Sequence, residues 1–183
     1  MSVAVDTSSL LALVRYYIPF DKGDSLKDFL NDKFKNGDLL ILDKVFEEAK
    51  LVAQGAIIND LSFITDTKKH VRTVGILPDA RFFKHLDNDF CDKQVMRLKN
   101  ITAIGYEIEK KRYLELADCK LILHAYHNMP NNPLIVSEET PTRNDGKIFK
   151  KIPTNCNTLN IPCCTLPKLI KDKYNLKLSD FFH

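Results

Sequence analysis

The run SVAVDTSSLLALV, residues 2–14, decides how this chain is read. Val3, Ala4 and Val5 leave no polar face, so residues 2–6 are expected to form a short strand buried on both sides. The strand ends in a carboxylate, Asp6. Thr7 and Ser8 follow as N-cap candidates, and Leu10, Leu11, Leu13 and Val14 supply the apolar face of a helix. A strand that runs straight into a helix is the opening of a parallel α/β unit, and the pattern returns along the chain. The stretch LLIL (39–42) leads into a helix over 44–54, with Gly55 as its C-cap. LIVS (134–137) is a third strand and IPCCT (161–165) a fourth, followed by a closing helix over 166–174. Short apolar strands alternating with helices predict an α/β fold with a central parallel sheet covered on both faces. In such sheets ligands bind beyond the carboxyl ends of the strands. The polar residues just after each strand are therefore the ones to weigh.

Between these elements, residues 25–34 read as an amphipathic helix with Leu26, Phe29, Leu30 and Phe34 on one side, stopped by Asn36-Gly37. Residues 56–100 carry helical pieces at 79–83 and 92–98 and no motif. Residues 101–127 form a long helical region in one or two pieces. Residues 140–147 are a polar loop, and Ile152-Pro153 opens a helical turn that runs through Leu159.

At 183 residues the chain argues for a single domain able to bury a core without disulfides or structural metal. Hydrophobic residues make up 44% and charged residues 28%, so wholesale disorder is not expected. No apolar run approaches the roughly 20 residues of a membrane helix. The N-terminus lacks the basic start and unbroken apolar core of a secretory leader, which places the protein in the cytosol with no membrane partner. Five cysteines without a C-x-x-C pair read as reduced, mostly buried thiols. Net charge is only +3, but acidic and basic segments alternate: residues 1–65 carry −3, 66–112 carry +4, 113–142 carry −3 and 143–173 carry +5. That distribution suits an acidic site rimmed by cations that meet a polyanion; the plainer reading is chance clustering on a solvated surface.

Four acids stand out. Asp6 closes the first strand, although an aspartate before a helix is also a common N-cap. Glu48 has Val45, Leu51 and Val52 at helical spacing, which puts it on or beside an apolar stripe; Glu47, next to Lys44 and Lys50, looks solvated. A carboxylate in an apolar stripe must be paired, protonated or metal-bound, or reach water from the stripe's edge. Asp118 shows the same anomaly with Leu114, Leu121 and Ile122, unless a second helix starting near Leu116 places it at a cap. Glu138 and Glu139 follow the third strand, and strand alternation sends them to opposite faces, so at most one joins a shared pocket. Oxygen-only donors on separate elements suit Mg²⁺ or Mn²⁺ rather than zinc. Such ions support phosphoryl chemistry by acidifying a water and stabilising the leaving oxygen.

Taken together, V-D-T-S at the N-terminus, V-F-E-E in the helix after the second strand, A-D-C-K-L-I-L-H-A in a later helix and I-V-S-E-E after the third strand resemble the PIN-domain ribonucleases. The tail, with KKIP, Asn155-Cys156 and IPCC, resembles a poorly characterised PIN-like branch. The resemblance implies one PIN-like domain over 1–183, with 56–100 as a variable helical segment, and a three-layer fold. It implies Mg²⁺ or Mn²⁺ held by Asp6, Glu48, Asp118 and Glu139, the four catalytic positions. Many relatives have Asp at the last of these. It also implies Thr7, Ser8 and Ser137 as hydroxyl partners that orient the acids. Many small members are toxins of toxin–antitoxin pairs. RNA as substrate, a protein antitoxin and a second copy of the chain are accordingly the expected partners.

Arg143, Lys147, Lys150 and Lys151 form a basic run near the last acid and are expected to contact the RNA backbone. His124 and His127 lack a third ligand and read as surface histidines. No G-x-x-x-x-G-K-[ST] or G-x-G-x-x-G phosphate loop is present. The leading expectation is a metal-dependent endoribonuclease leaving a 5′-phosphate and a 3′-hydroxyl. The alternatives are a catalytically inactive PIN-like module that binds RNA or protein, and, more weakly, a phosphatase.

Overall fold

The structure is a computed structural model that describes residues 2–141 and 146–182. It is an α/β fold built on a four-stranded, all-parallel sheet flanked by helices. β1 (Val3–Val5) leads into α1 (Thr7–Ala12). Then come α2 (Ser25–Lys35), β2 (Leu39–Leu40), α3 (Asp43–Leu51) and α4 (Ala56–Asp60). The segment without motifs holds 3₁₀ turns and then α5 (Ala80–His85) and α6 (Lys93–Leu98), joined by a π turn over Leu86–Phe90. α7 (Ala103–Leu114) and α8 (Ala117–His127) precede β3 (Leu134–Val136), and α9 (Ile152–Leu159), β4 (Cys163–Cys164) and α10 (Leu166–Tyr174) close the order.

The strand order is β2-β1-β3-β4. β1 and β3 are central and every residue in them is buried, as their unbroken apolar runs require. Val3 to Val5 lie opposite Leu134 to Val136 in register. The chain steps from β1 to β2 on one side, then returns to place β3 on the other side of β1. That reversal opens a crevice between the carboxyl ends of β1 and β3, where neighbouring connections diverge. The residues that leave the sheet at this point are Asp6 and Ser137. Asp6 N–H still donates to the Val136 carbonyl (2.9 Å) and Ser137 N–H to the Cys164 carbonyl (3.0 Å), so both are pinned to the ladder.

Several expectations are corrected. The N-cap of α1 is Asp6 itself, whose side chain accepts from Ser8 N–H, rather than Thr7 or Ser8. α3 ends at Leu51, not at residue 54; the chain turns through Ala53 and Gln54 at positive φ, and Gly55 (φ +82°) caps the start of α4 instead. Of the two arrangements expected for the helical region 101–127, the structure has the two-helix one, the second starting beside Leu116. Glu115 and Leu116 break it, so Leu114 and Asp118 do not share a helix face. Lys120 is 4% exposed and pairs with Glu115 (3.2 Å) across this break, which lets a lysine sit among apolar neighbours. The cysteines are free thiols, Cys91, Cys119 and Cys156 buried and Cys163 and Cys164 half-buried.

Candidate metal-binding acidic site

At the crevice, Asp6 is 3% exposed. Its Oδ2 accepts three hydrogen bonds: from Ser8 Oγ (2.5 Å), from Ser137 Oγ (3.0 Å) and from Ser8 N–H (3.3 Å). The two serines are held in turn. Glu138 N–H donates to Ser8 Oγ (3.1 Å) and Glu139 N–H to Ser137 Oγ (3.2 Å). The backbone leaving β3 thus fixes two hydroxyls, and these fix one carboxylate oxygen. Oδ1 accepts no hydrogen bond from the described residues and is the oxygen left for a ligand. The cap and the site are the same residue: Asp6 satisfies the helix start with one oxygen and presents the other.

Glu48 reaches the same place from α3. Its Oε2 accepts from Thr7 Oγ1 (2.7 Å), across 41 residues of sequence. The apolar stripe of α3 is Val45 and Ala49, while Leu51 is 83% exposed. Glu48 therefore stands at the edge of the stripe, exposed, and is tied to the site by Thr7 rather than by burial. Glu47 pairs with Lys44 (3.0 Å) and faces water, as its neighbours suggested.

Asp118 lies in the first turn of α8, where a negative charge meets the unpaired N–H groups and positive end of the helix. It is partly buried, and burial pushes its carboxyl up from 3.8 to about 7, with repulsion from Asp6, Glu139 and Glu48 adding to the rise and Lys147 opposing it. Burial likewise raises Asp6 to about 6. Its serine hydrogen bonds lower it, and the charges of Glu139 and Glu48 raise it further. These couplings bring all four expected acids into one electrostatic neighbourhood.

Glu138 and Glu139 diverge to two different helix starts. Glu138 Oε1 accepts from Leu166 N–H (2.6 Å), the first residue of α10, and its charge reaches Tyr17 and Cys164. Glu139 Oε2 accepts from Ile152 N–H (3.0 Å), the first residue of α9, and its charge reaches Asp6 and Asp118. Glu139 is the member that faces the acids.

The basic run divides. Lys147 is exposed and close enough to Asp118 to lower its pKa. Lys150 is turned inward instead, its ammonium donating to the Asp89 carbonyl (2.7 Å), because the 148–150 segment bridges back to residues 90–92. Lys151 is half-buried and forms the N-cap of α9. Arg143 lies outside the described residues. His127 is exposed and contacts the Leu77 carbonyl through Nε2 (2.9 Å), and His124 is half-buried. Asn155, to which the sequence reading gave no role, is fully buried in α9. Its Nδ2 donates to Tyr113 Oη (3.2 Å) and to the Lys150 carbonyl (2.8 Å). Its place in the tail motif, beside Cys156, was its only signal in the sequence.

Residues 4–175 match the family described as Domain of unknown function (DUF4411). The chain belongs to the DUF4411 family. Comparisons with curated proteins and with solved structures found no match. The matched span runs from the second residue of β1 to just past α10, so the acidic site of this DUF4411 chain lies wholly inside it.

The donor set can be tested against the expected ion. Four carboxylates and no nitrogen or sulfur donor suit a hard, oxygen-seeking cation. Two of the four are desolvated and mutually repelled, which a divalent charge would relieve. One oxygen of Glu48 and one of Glu139 are already engaged, and among the described residues no three acids are drawn in closely enough to share an ion. The residues fit Mg²⁺ or Mn²⁺ by charge and chemistry. Asp6 and Asp118 would hold it, with Glu48 and Glu139 supplying further charge.

Proposed function

We propose that this protein is a PIN-like, Mg²⁺- or Mn²⁺-dependent endoribonuclease that hydrolyses RNA phosphodiesters, leaving a 5′-phosphate and a 3′-hydroxyl. The observation that carries the reading is Asp6. It is a buried carboxylate at a sheet switch point, with one oxygen locked by three hydrogen bonds and the other left open, facing a second acid whose carboxyl is also raised. When bound, the divalent ion supplies Lewis acidity and neutralises charge that develops on phosphate.

The chain's own residues do the rest. Ser8 and Ser137 hold Asp6 in one orientation, which spares the cost of ordering it during reaction. Thr7 does the same for Glu48. The first turn of α8 and the Lys147 ammonium favour the ionised form of Asp118 against burial. Burial excludes bulk water around Asp6 and strengthens every charge interaction there. Lys147, close enough to Asp118 to lower its pKa, would meet the substrate's backbone.

No described helix is long and apolar enough to cross a membrane. A cytoplasmic location, a toxin role with a protein antitoxin, and a homodimer belong to the same proposal and rest on the resemblance alone. A second reading, an inactive module that binds RNA, draws on Glu139: one of its oxygens already satisfies the start of α9. Both are tested by RNA cleavage in Mn²⁺ and in EDTA, for wild type and Asp118→Asn. The nuclease reading expects metal-dependent cleavage that the variant loses. Equal activity in wild type and variant defeats it, and salt-dependent binding without cleavage selects the inactive module.

A further inference from the structure

A cavity of about 430 Å³ opens beside Asp118, between α7 and residues 146–149. Its apolar lining includes Ile101, Leu116 and Ile148, and Leu116 is 46% exposed. Behind them Tyr113 and Phe149 stack, with ring centroids 4.1 Å apart and planes 13° from parallel, and both are buried. The stack gives the cavity a stiff aromatic wall. Cations stand around the mouth. Lys99 donates through its ammonium to the Gly146 carbonyl, Lys147 is exposed near Asp118, and Arg112 is exposed and forms no ion pair with the described residues. Glu109 is the one acid of the lining besides Asp118.

This combination of aliphatic lining backed by an aromatic stack, cations around it and Asp118 at its edge suits a nucleotide: an aromatic base with a phosphate on each side. We infer that the cavity receives one unpaired base of a single-stranded RNA, with Arg112 and Lys99 on the flanking phosphates. The strand would thereby be fed past Asp118. A base inside an A-form duplex is stacked and paired and cannot enter a cavity, so the site selects single strands. The inference rests on the ribonuclease reading only for the phosphate that it sets at Asp118; the base-binding cavity stands on its own lining.

The test is binding by fluorescence anisotropy in EDTA, with a short labelled oligoribonucleotide offered as a single strand and as its duplex. Two variants probe the cavity at exposed positions. Arg112→Ala removes a mouth cation, and Leu116→Ser removes apolar lining while placing a favourable N-cap residue at the start of α8. The single strand is expected to bind about tenfold more tightly than the duplex. Arg112→Ala should weaken it about tenfold and lower the slope of log affinity on log salt by about 0.7, the value of one phosphate contact on a single strand. Leu116→Ser should abolish the preference for the single strand with an unchanged melting temperature. Equal binding of single strand and duplex, or variants indistinguishable from wild type, overturns the inference. The two readings fail separately. Mn²⁺-dependent cleavage lost in Asp118→Asn, with variant binding unaltered, keeps the nuclease and discards the cavity. Single-strand binding lost in both variants, with no cleavage in Mn²⁺ or Mg²⁺, keeps the cavity and discards the nuclease.

Discussion

Replacing Asp118 by Asn should stabilise the metal-free protein, and by an amount that depends on pH. In the folded chain burial and three neighbouring carboxylates raise Asp118 from 3.8 to about 7. Below pH 3.8 the group is protonated folded or unfolded, and it costs nothing. As the pH rises from 3.8 toward 7 the unfolded chain ionises first. Folding then takes up a proton, so stability falls with each step in pH. Above about pH 7 the full penalty is present. A difference of that size corresponds to about 4 kcal/mol at 1.36 kcal/mol per pKa unit. Asp118 is only partly buried, and solvent screening reduces the figure to about 2 kcal/mol. Asn keeps the shape and cannot ionise. Urea denaturation in EDTA at pH 4, 6 and 8 is the assay. Both proteins should lose stability across the series because Asp6, raised to about 6, titrates in each, but wild type loses more, with the gap widening to about 2 kcal/mol at pH 8. Parallel curves for the two proteins, or a gap that is the same at pH 4 and pH 8, would refute the claim that Asp118 sits among buried, repelling acids.

Other outcomes follow from the same geometry. Mn²⁺ at about a hundred times its Kd should stabilise wild type by about 2.7 kcal/mol, and Asp118→Asn far less; a thermal melt with and without EDTA measures both. Ser137→Ala removes a hydrogen bond to Asp6 and leaves Glu139 N–H without its acceptor, so a loss of about 1 kcal/mol in urea and a further rise of the Asp6 carboxyl, followed by NMR titration, are expected. Thr7→Val frees Glu48 and should reduce cleavage while leaving the melting temperature within a few degrees, since Glu48 is exposed. Ile135→Ala, in the central strand and fully buried, should cost about 2–5 kcal/mol by chemical denaturation and is the control for damage to the sheet itself.

Much of the fold was legible in short stretches. β1 and β3 are apolar on both sides, so only the centre of a parallel sheet suits them, and α10 runs over the 166–174 span that its sequence suggested. Asp6, Ser8 and Ser137 were also readable, because the residue that leaves a central strand has few places to point. For Glu48 and Asp118 the local pattern left two placements open, and the structure takes the plainer one. Glu48 is the stripe-edge glutamate rather than a buried one, since Leu51 points to water, and Asp118 stands at the start of a second helix rather than in the middle of one. In both instances the local pattern concerned one helix, while the position depends on what the helix packs against.

Sequence alone determined the alternation of strand and helix and the placing of acids at strand ends, since both follow from side-chain periodicity and chain connectivity over a few residues. The tertiary structure decided which acids meet. It separated Glu139 from Glu138 by giving each a different helix start to satisfy, turned Lys150 inward, and built a cavity from α7 and the residues after Gly146. Those outcomes depend on where sheet order reverses and how helices pack, and contacts across 41 or 131 residues leave no periodic trace in the chain.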